Sequence, residues 1–191
     1  MRGWNDDPFT KKARREDFEA RSVYKLEEID RREPILKGVK RIIDLGAAPG
    51  SWTQYCLRKI SNCKILAIDL SPINVTDKRL TAVQADINEF DFKKAMDGEL
   101  ADLVISDMAP KTTGIPDLDV TQSFELASMA LQVAREHLKT DGSFVVKLFM
   151  GGSFEEYHRE VKKLFKNCRI IRPESTRKHS REIFFVGKGK K

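Results

Sequence analysis

Residues 41–52, RIIDLGAAPGSW, constrain the fold of this chain more than any other stretch of the sequence. A short apolar strand pattern ends in an acid, Asp44, and a turn containing Gly46 and Gly50 follows at once. Glycine permits backbone torsions and close approaches that a Cβ would block. A strand, a glycine-bearing turn and a helix N-terminus in this order direct unpaired backbone N–H groups at a ligand. We therefore expect a nucleotide-type cofactor site here, at Asp44, Gly46, Gly50 and the start of a helix that extends to about residue 60.

Apolar strand patterns alternate with helical patterns along the rest of the chain. Strands are predicted at 41–45, 64–70, 80–85, 101–106, 143–150, 169–172 and 182–186. Further helices are predicted at 14–32, 88–97, 118–139 and 153–166, and residues 1–12 have no regular pattern. This alternation indicates a Rossmann-like α/β fold over residues 1–191, with a mostly parallel sheet and helices on both faces. Only the polar loop 173–181 separates the last two strands, which is too short for a parallel crossover, so the seventh strand should be antiparallel.

The distribution of charge points to a polyanionic partner. Residues 159–191 carry 12 Lys and Arg against 3 Asp and Glu, a local +9, so the rest of a chain of net charge +6 carries −3. A second basic cluster lies within residues 11–15. Positive charge confined to the two ends is typical of nucleic-acid binding, although a solvated Lys/Arg surface has the same composition.

The cysteines and the hydropathy limit the protein class. Cys56, Cys63 and Cys168 form no C-x-x-C pair, so we expect reduced structural thiols and no metal site. There is no apolar run of membrane-spanning length, and the N-terminus lacks the apolar core of a signal peptide. We therefore expect a cytoplasmic protein that does not bind a membrane.

Ionisable residues stand at the carboxyl ends of the predicted strands, where open α/β sheets bind their ligands. These residues are Asp44, Asp69, Asp86, Asp107, Lys147 and, at the start of the antiparallel strand, Glu182. A single Asp after a strand is also a common turn former or helix cap. Lys147 is different, because it lies in a strand that is otherwise apolar on both faces and an unpaired buried ammonium is costly. We expect Asp107, on the adjacent strand, to be its partner.

The turn and its surroundings indicate which cofactor the site takes. Asp69 lies 19 residues beyond Gly50, a spacing at which an acid accepts hydrogen bonds from a ribose. The turn reads G-A-A-P-G, which departs from the G-x-G-x-x-G of NAD sites. It is the pattern of S-adenosylmethionine sites, and acidic surroundings suit a sulfonium cation. An NAD-dependent oxidoreductase is the alternative on the same fold.

A further lysine, Lys25, is unusual because it falls on the apolar face of the predicted helix 14–32, together with Phe18 and Ile29. Either this side chain reaches water along its methylene groups, or it directs a cation inward at a site.

The chain resembles the FtsJ/RrmJ family of ribose 2′-O-methyltransferases. The matching segments are RSVYKLEEI, DLGAAPGSWTQY, ISDMAP, VVKLF and SREIFFV, which span residues 21–186 in the family's order. DLGAAPG-x-W together with DMAP is specific, whereas each of the other segments alone is weak. Lys111 departs from the family's pattern, because many relatives have Asn at this position. The departure affects the contacts expected of the target loop.

The resemblance implies a class I methyltransferase fold, S-adenosylmethionine as cofactor, and an N-terminal basic segment and helix (residues 1–40) that packs over the active-site edge. It implies a catalytic tetrad at Lys25, Asp107, Lys147 and Glu182. It implies cofactor contacts at Gly50, Trp52, Asp69, Asp86 and Asp107.

The reaction implied is an in-line methyl transfer to a ribose 2′-hydroxyl. We expect Lys147 to orient the hydroxyl and accept its proton, with Lys25 nearby to disfavour a second positive charge. Asp107 would hold Lys147, and Glu182 would position a lysine or the ribose.

The resemblance implies RNA as the partner, with a uridine of 23S (large-subunit) ribosomal RNA as the target and a monomeric enzyme. Some relatives modify tRNA and viral ones modify mRNA caps, and the compact chain fits ribosomal RNA or tRNA. Besides the oxidoreductase, the alternatives are a non-catalytic RNA-binding protein and a methyltransferase for proteins or small molecules.

Overall fold

A seven-stranded sheet organises the protein in a computed structural model that describes residues 7–191. The start of the segment 1–40, residues 1–6, lies outside the described residues. The strands are β1 Arg41–Leu45, β2 Lys64–Asp69, β3 Leu80–Gln84, β4 Ala101–Ser106, β5 Leu138–Phe149, β6 Phe165–Ile171 and β7 Glu182–Lys190. The helices are α1 Pro8–Arg15, α2 Val23–Arg32, α3 Ser51–Lys59, α4 Phe92–Ala95, α5 Pro116–His137 and α6 Phe154–Leu164.

The strand order is β3-β2-β1-β4-β5-β7-β6. The pairs among β1 to β5 are parallel, whereas β7 runs antiparallel to both of its neighbours, β5 and β6. The predicted Rossmann-like fold with an antiparallel last strand is therefore confirmed.

Two hydrophobic cores cover the two faces of the sheet, because successive strand residues point to opposite faces. In β1, Ile42 belongs to a first core with α1, α2 and α3, and Ile43 belongs to a second core with α4, α5 and α6. The central strands read as continuous apolar runs since both of their faces are buried. Within residues 7–191, no helix combines the length and the apolar character that a bilayer crossing needs.

The prediction of a single helix at 14–32 is wrong, and so is the prediction that residues 8–12 have no regular structure. The chain forms α1 and α2 with a break between them, which Asp17 produces with a left-handed φ of 57°. Phe18 N–H donates to the Ala13 carbonyl at 2.9 Å and Asp17 N–H donates to the Arg14 carbonyl at 3.3 Å. This is a Schellman termination with aspartate where glycine is usual. Arg58 then donates to two carbonyls of the same turn.

The last three strands are longer than predicted. β5 begins at Leu138, since the Asp141-Gly142 pair, with Asp141 at a φ of 62°, interrupts the strand without ending it. β6 begins at Phe165 rather than at residue 169, because its polar residues pair with the basic end of β7, which extends to Lys190. The other elements agree with the prediction to within a few residues, apart from α4, which is shorter.

Candidate active site

The turn after β1 holds its two glycines in conformations that other residues rarely adopt. Gly46 has a φ of 70°, and a Cβ there would lie 2.5 Å from Met108 Cγ. Gly50 has a φ of 122°, and a Cβ there would lie 2.4 Å from a methyl group of Val75. The turn therefore packs against the loop after β4 on one side and the segment after β2 on the other, which requires glycine at both positions.

The start of α3 is joined to the start of α2. The Trp52 indole N–H donates to the Ser22 carbonyl at 2.9 Å, and the Ser22 and Ser51 hydroxyls are 2.7 Å apart. The Trp52 ring is buried, with its centroid 5.8 Å from that of Phe184. The Trp52 side chain thus faces the first core, and its backbone N–H in the first turn of α3 is the group that can face a ligand.

A cavity of about 500 Å³ opens at the carboxyl edge of the sheet, beside this turn. Three predicted acids, Asp69, Asp86 and Asp107, line it together with Gly46. The lining does not include three other predicted residues, Asp44, Gly50 and Trp52. Sequence reasoning missed several lining residues: Leu70, Ile87, Asn88, Met108, Leu126 and Met129. Four of these had a signal, because Leu70, Ile87, Asn88 and Met108 closely follow the acids after β2, β3 and β4. Leu126 and Met129, on α5, had none.

Two of the acids are fixed by backbone groups. Asp69 accepts hydrogen bonds from Ala48 N–H at 3.0 Å and Ser71 N–H at 2.7 Å. Asp86 accepts from the backbone N–H and the side-chain amide of Asn88, at 2.9 and 3.0 Å. A carboxylate has about four lone-pair directions, so each carboxylate can accept further hydrogen bonds from a ligand in the cavity.

Asp44 is buried beneath the turn, with 1% of its surface exposed. Its Oδ2 accepts the Thr53 hydroxyl at 2.6 Å, while Oδ1 has no hydrogen-bond partner among the described residues. Burial raises the pKa of Asp44 to about 7, against the hydrogen bond from Thr53 and with help from the negative charges of Asp107 and Asp69. The orphan oxygen is a buried acceptor next to the proposed cofactor turn.

The expected pairing of Lys147 with Asp107 is confirmed. Lys147 Nζ lies 2.9 Å from Asp107 Oδ1 and 2.5 Å from the Asp107 carbonyl oxygen. Only 5% of the Lys147 side chain is exposed, whereas that of Asp107 is 16% exposed and borders the cavity. The described contacts occupy two of the three N–H groups of the ammonium. The third can donate to a further acceptor.

Lys25 and Glu182 form a second ion pair, although 157 positions separate them. Lys25 Nζ lies 2.8 Å from both carboxylate oxygens, and the two side chains are 14% and 10% exposed. The ammonium also lies 5.8 Å from the centroid of the Phe184 ring. Lys25 therefore points inward at the sheet edge rather than along the surface to water.

The alternation of strand residues places Asp107, Lys147 and Glu182 on the face of the sheet that α2, the helix with Lys25, covers. Five ionisable residues each lie two positions along the chain from a strand residue of the first core. They are Asp44, Asp69, Asp107, Lys147 and Glu182. Lys147 is paired in register with Phe184, and Glu182 is two residues earlier on the same strand. Glu182 and Lys147 are thus diagonal neighbours, which in antiparallel pairs are about 7–8 Å apart. The structure brings all four predicted tetrad residues to one edge.

Comparisons with known proteins show which proteins this chain is similar to. Residues 18–190 match the family model described as FtsJ-like methyltransferase. The chain is 45% identical over 190 residues to ribosomal RNA large subunit methyltransferase E of Bdellovibrio bacteriovorus, with 97% of each chain covered. It is 43% identical over 192 residues to the protein of the same name from Desulfatibacillum aliphaticivorans, covering 98% of this chain and 92% of that one. A crystal structure of a ribosomal RNA methyltransferase from Plasmodium falciparum superposes with a TM-score of 0.79 at 25% identity, covering 91% of this chain and 98% of that one.

Proposed function

The chain belongs to the family of FtsJ-like methyltransferases, and on this premise we propose that it transfers a methyl group from S-adenosylmethionine to a ribose 2′-hydroxyl of RNA. The proposed target is a uridine of 23S ribosomal RNA, and the names of the two bacterial relatives support the large subunit as substrate. Because one chain contributes both ion pairs and the cavity, and because ribosomes are cytoplasmic, we infer a monomeric cytoplasmic enzyme. The family match favours this function over the oxidoreductase alternative.

The observation that carries the proposal is the convergence of two ion pairs at one edge of the sheet, where Asp107 of the first pair lines the large cavity. Lys147 with Asp107, and Lys25 with Glu182, share one face at the carboxyl edge of the sheet. Burial of ammonium groups at this depth is costly unless each is paired. A fold that needed only stability would fill such positions with apolar side chains, so we assign these four residues to the reaction.

The residues around the cavity fit S-adenosylmethionine. Its volume of about 500 Å³ is within the range of about 300–1,000 Å³ that is usual for small-molecule sites. When bound, S-adenosylmethionine supplies an electrophilic methyl group on a positively charged sulfur. Asp69 and Asp86 would accept hydrogen bonds from its hydroxyl and amino groups, and Gly46 keeps the turn open. Gly50 and Trp52 would contribute backbone N–H groups rather than side chains.

Asp44 would serve the same ligand from behind the turn. Its orphan oxygen is a buried acceptor, and a buried acceptor gains most from a charged donor. A cation in the cavity would favour the ionised carboxylate, by attraction between opposite charges.

Lys147 would act on the target hydroxyl. Two donations to Asp107 fix its position, and its remaining N–H can orient the 2′-oxygen. Lys147 can accept the hydroxyl proton only through a nitrogen lone pair, so the neutral amine is the form that would act as the base. Glu182 holds Lys25 with both oxygens and would position the ribose from the side opposite Asp107.

The experiment is tritiated-methyl transfer to large ribosomal subunits from cells that lack this protein, with tRNA as a second substrate. We expect label in large-subunit RNA at a ribose 2′-oxygen, located by nuclease mapping. Lys147→Met should lower the rate by about 10²–10⁴-fold, which is the usual contribution of a positioned acid or base, with S-adenosylmethionine still bound in a calorimetric titration.

The matched control is Lys139→Met. Lys139 is on the same strand, at the opposite edge, and pairs with Asp102 as Lys147 pairs with Asp107. Full activity of Lys147→Met would remove Lys147 from the mechanism. Lys147→Arg separates its two roles, because a guanidinium positions but does not accept a proton at neutral pH. Label found only in tRNA would contradict the ribosomal target and make tRNA the substrate.

A further inference from the structure

The polar loop between β6 and β7 encloses a second cavity, next to the Lys25–Glu182 pair. Its volume is about 260 Å³, and its lining includes Arg21, Ser22, Ser175, Arg177 and Ser180. This is smaller than the sites of about 300–1,000 Å³ that hold drug-sized ligands. The cavity therefore suits a group the size of a phosphate rather than a whole nucleotide.

The strongest sign of a ligand is the Ser175 side chain. Ser175 is 3% exposed, it lines the cavity, and its Oγ has no hydrogen-bond partner among the described residues. Buried polar groups in folded proteins are nearly always hydrogen-bonded, and an exception needs an explanation. A ligand oxygen in the cavity would supply the missing partner.

The charge of the lining favours an anion. Arg21, Lys25 and Arg177 are cationic, and Glu182 is the only acid among the lining residues. Lys25 already neutralises Glu182, and Asp7, outside the lining, pairs with Arg21. Within the lining, three cationic side chains therefore stand against one carboxylate. Guanidinium and hydroxyl donors are the groups that proteins use to bind phosphate oxygens.

The loop is held in place before any ligand binds. The Arg21 guanidinium donates to the Ser175 carbonyl, and Glu174 N–H donates to Glu28 on α2 at 2.7 Å. Ser180 Oγ accepts the Glu182 N–H at 3.2 Å, so its O–H is directed elsewhere. Such preorganisation lowers the entropy that binding would otherwise cost.

We propose that this cavity binds a phosphodiester group of the RNA substrate next to the target ribose. The proposal rests on the proposed function, since it presumes that the target 2′-hydroxyl lies at Lys147. Glu182 lines the cavity and is the diagonal neighbour of Lys147. In RNA, the carbon that bears the 2′-hydroxyl is bonded to the carbon that bears the 3′-phosphodiester. A phosphate in this cavity would therefore fix the distance between the hydroxyl and Lys147.

The test compares Ser175→Ala and Arg177→Gln with the control Lys178→Gln, which removes a positive charge from the same loop outside the cavity. Methyl transfer to large ribosomal subunits is measured against salt. We expect Ser175→Ala to raise the KM for RNA about three- to tenfold and Arg177→Gln about tenfold or more. Arg177→Gln should also reduce the slope of log K against log salt by nearly one charge. The affinity for S-adenosylmethionine and the Tm should not change in either variant.

The possible outcomes separate this proposal from the proposed function. Normal transfer with an unchanged KM in both cavity variants overturns the phosphate site and leaves the methyltransferase function intact. An equal effect of Lys178→Gln assigns the loss to general loop charge and also overturns it. Inorganic phosphate, titrated alone, is the second probe: binding that Arg177→Gln abolishes, with no change in the KM for RNA, identifies a free-anion site instead. No transfer by the unmodified protein overturns both proposals.

Discussion

Replacement of Asp44 by asparagine should change how the stability of this protein depends on pH. Asp44 is fully buried, Thr53 donates to one of its oxygens, and the other oxygen has no partner among the described residues. Asparagine has nearly the same shape, can still accept from Thr53, and is neutral at every pH. The variant therefore removes one titration with little change in packing.

The magnitude follows from the pKa of Asp44, which burial raises from 3.8 to about 7. Between these values the folded protein holds a proton that the unfolded chain has released. The contribution of Asp44 to stability is therefore fully present below pH 4, falls as the pH rises, and is lost above pH 7. At about 1.4 kcal/mol per pH unit, the free energy of unfolding should fall by about 3 kcal/mol from pH 5 to pH 8 through this group.

The assay is urea unfolding of both proteins at pH 5 and pH 8. Other groups titrate equally in both, so the difference between the two proteins isolates Asp44. We expect Asp44→Asn to be more stable relative to the original protein at pH 8 than at pH 5, by about 2–3 kcal/mol. An equal difference at the two pH values would refute the reasoning, because it would mean that Asp44 stays ionised in the folded protein throughout.

Three further predictions concern the other parts of the site. Lys25→Met should lower the free energy of unfolding by about 3 kcal/mol in urea titrations, since it leaves the Glu182 carboxylate buried without its partner. Adding Glu182→Gln should restore stability but not methyl transfer; if transfer returned as well, the pair would have only a structural role. Replacing the basic residues within 11–15 by glutamine should raise the KM for RNA. It should also reduce the slope of log K against log salt by about 0.7–0.9 per lost phosphate contact; an unchanged slope would mean that α1 does not contact phosphate. Trp52→Phe should lower the free energy of unfolding by about 1–3 kcal/mol, because a smaller ring fills the buried site and the Ser22 carbonyl loses one of its two donors, keeping only the Lys25 N–H. It should change the S-adenosylmethionine Kd only slightly in calorimetry; a large loss of affinity at unchanged stability would assign the indole to the ligand.

Much of the site was predictable because the strand periodicity and the sheet topology can both be derived from the sequence. Asp107 and Lys147 end neighbouring parallel strands, so their carboxyl ends had to meet. The apolar runs around them fixed the strands, and Lys147 was conspicuous as a charge among buried residues. The pairing at 2.9 Å is the outcome of those constraints.

The position of Lys25 was harder to derive, since it depends on how α2 packs on the sheet. Local patterns extended its helix back to residue 14, because aspartate at a left-handed helix end has no sequence signature as strong as glycine. The contacts that seat α2 involve Ser22, Trp52 and the loop with Ser175. These are long-range hydrogen bonds, and no periodicity predicts them. The burial of the Trp52 indole and the second cavity were missed for the same reason.

The antiparallel direction of β7 explains why the site has its second ion pair. In β7 the first residue, Glu182, lies at the carboxyl edge of the parallel strands, opposite Phe149 at the end of β5. If β7 ran parallel to β5, its last residues would occupy that edge, and these are the basic residues up to Lys190. The edge would then carry further positive charge beside Lys147 and no carboxylate for Lys25. The same reversal brings the loop 173–181 to the active-site edge, since that loop leads directly into Glu182. One change of strand direction therefore supplies both the partner of Lys25 and the cavity that we assign to the RNA phosphate.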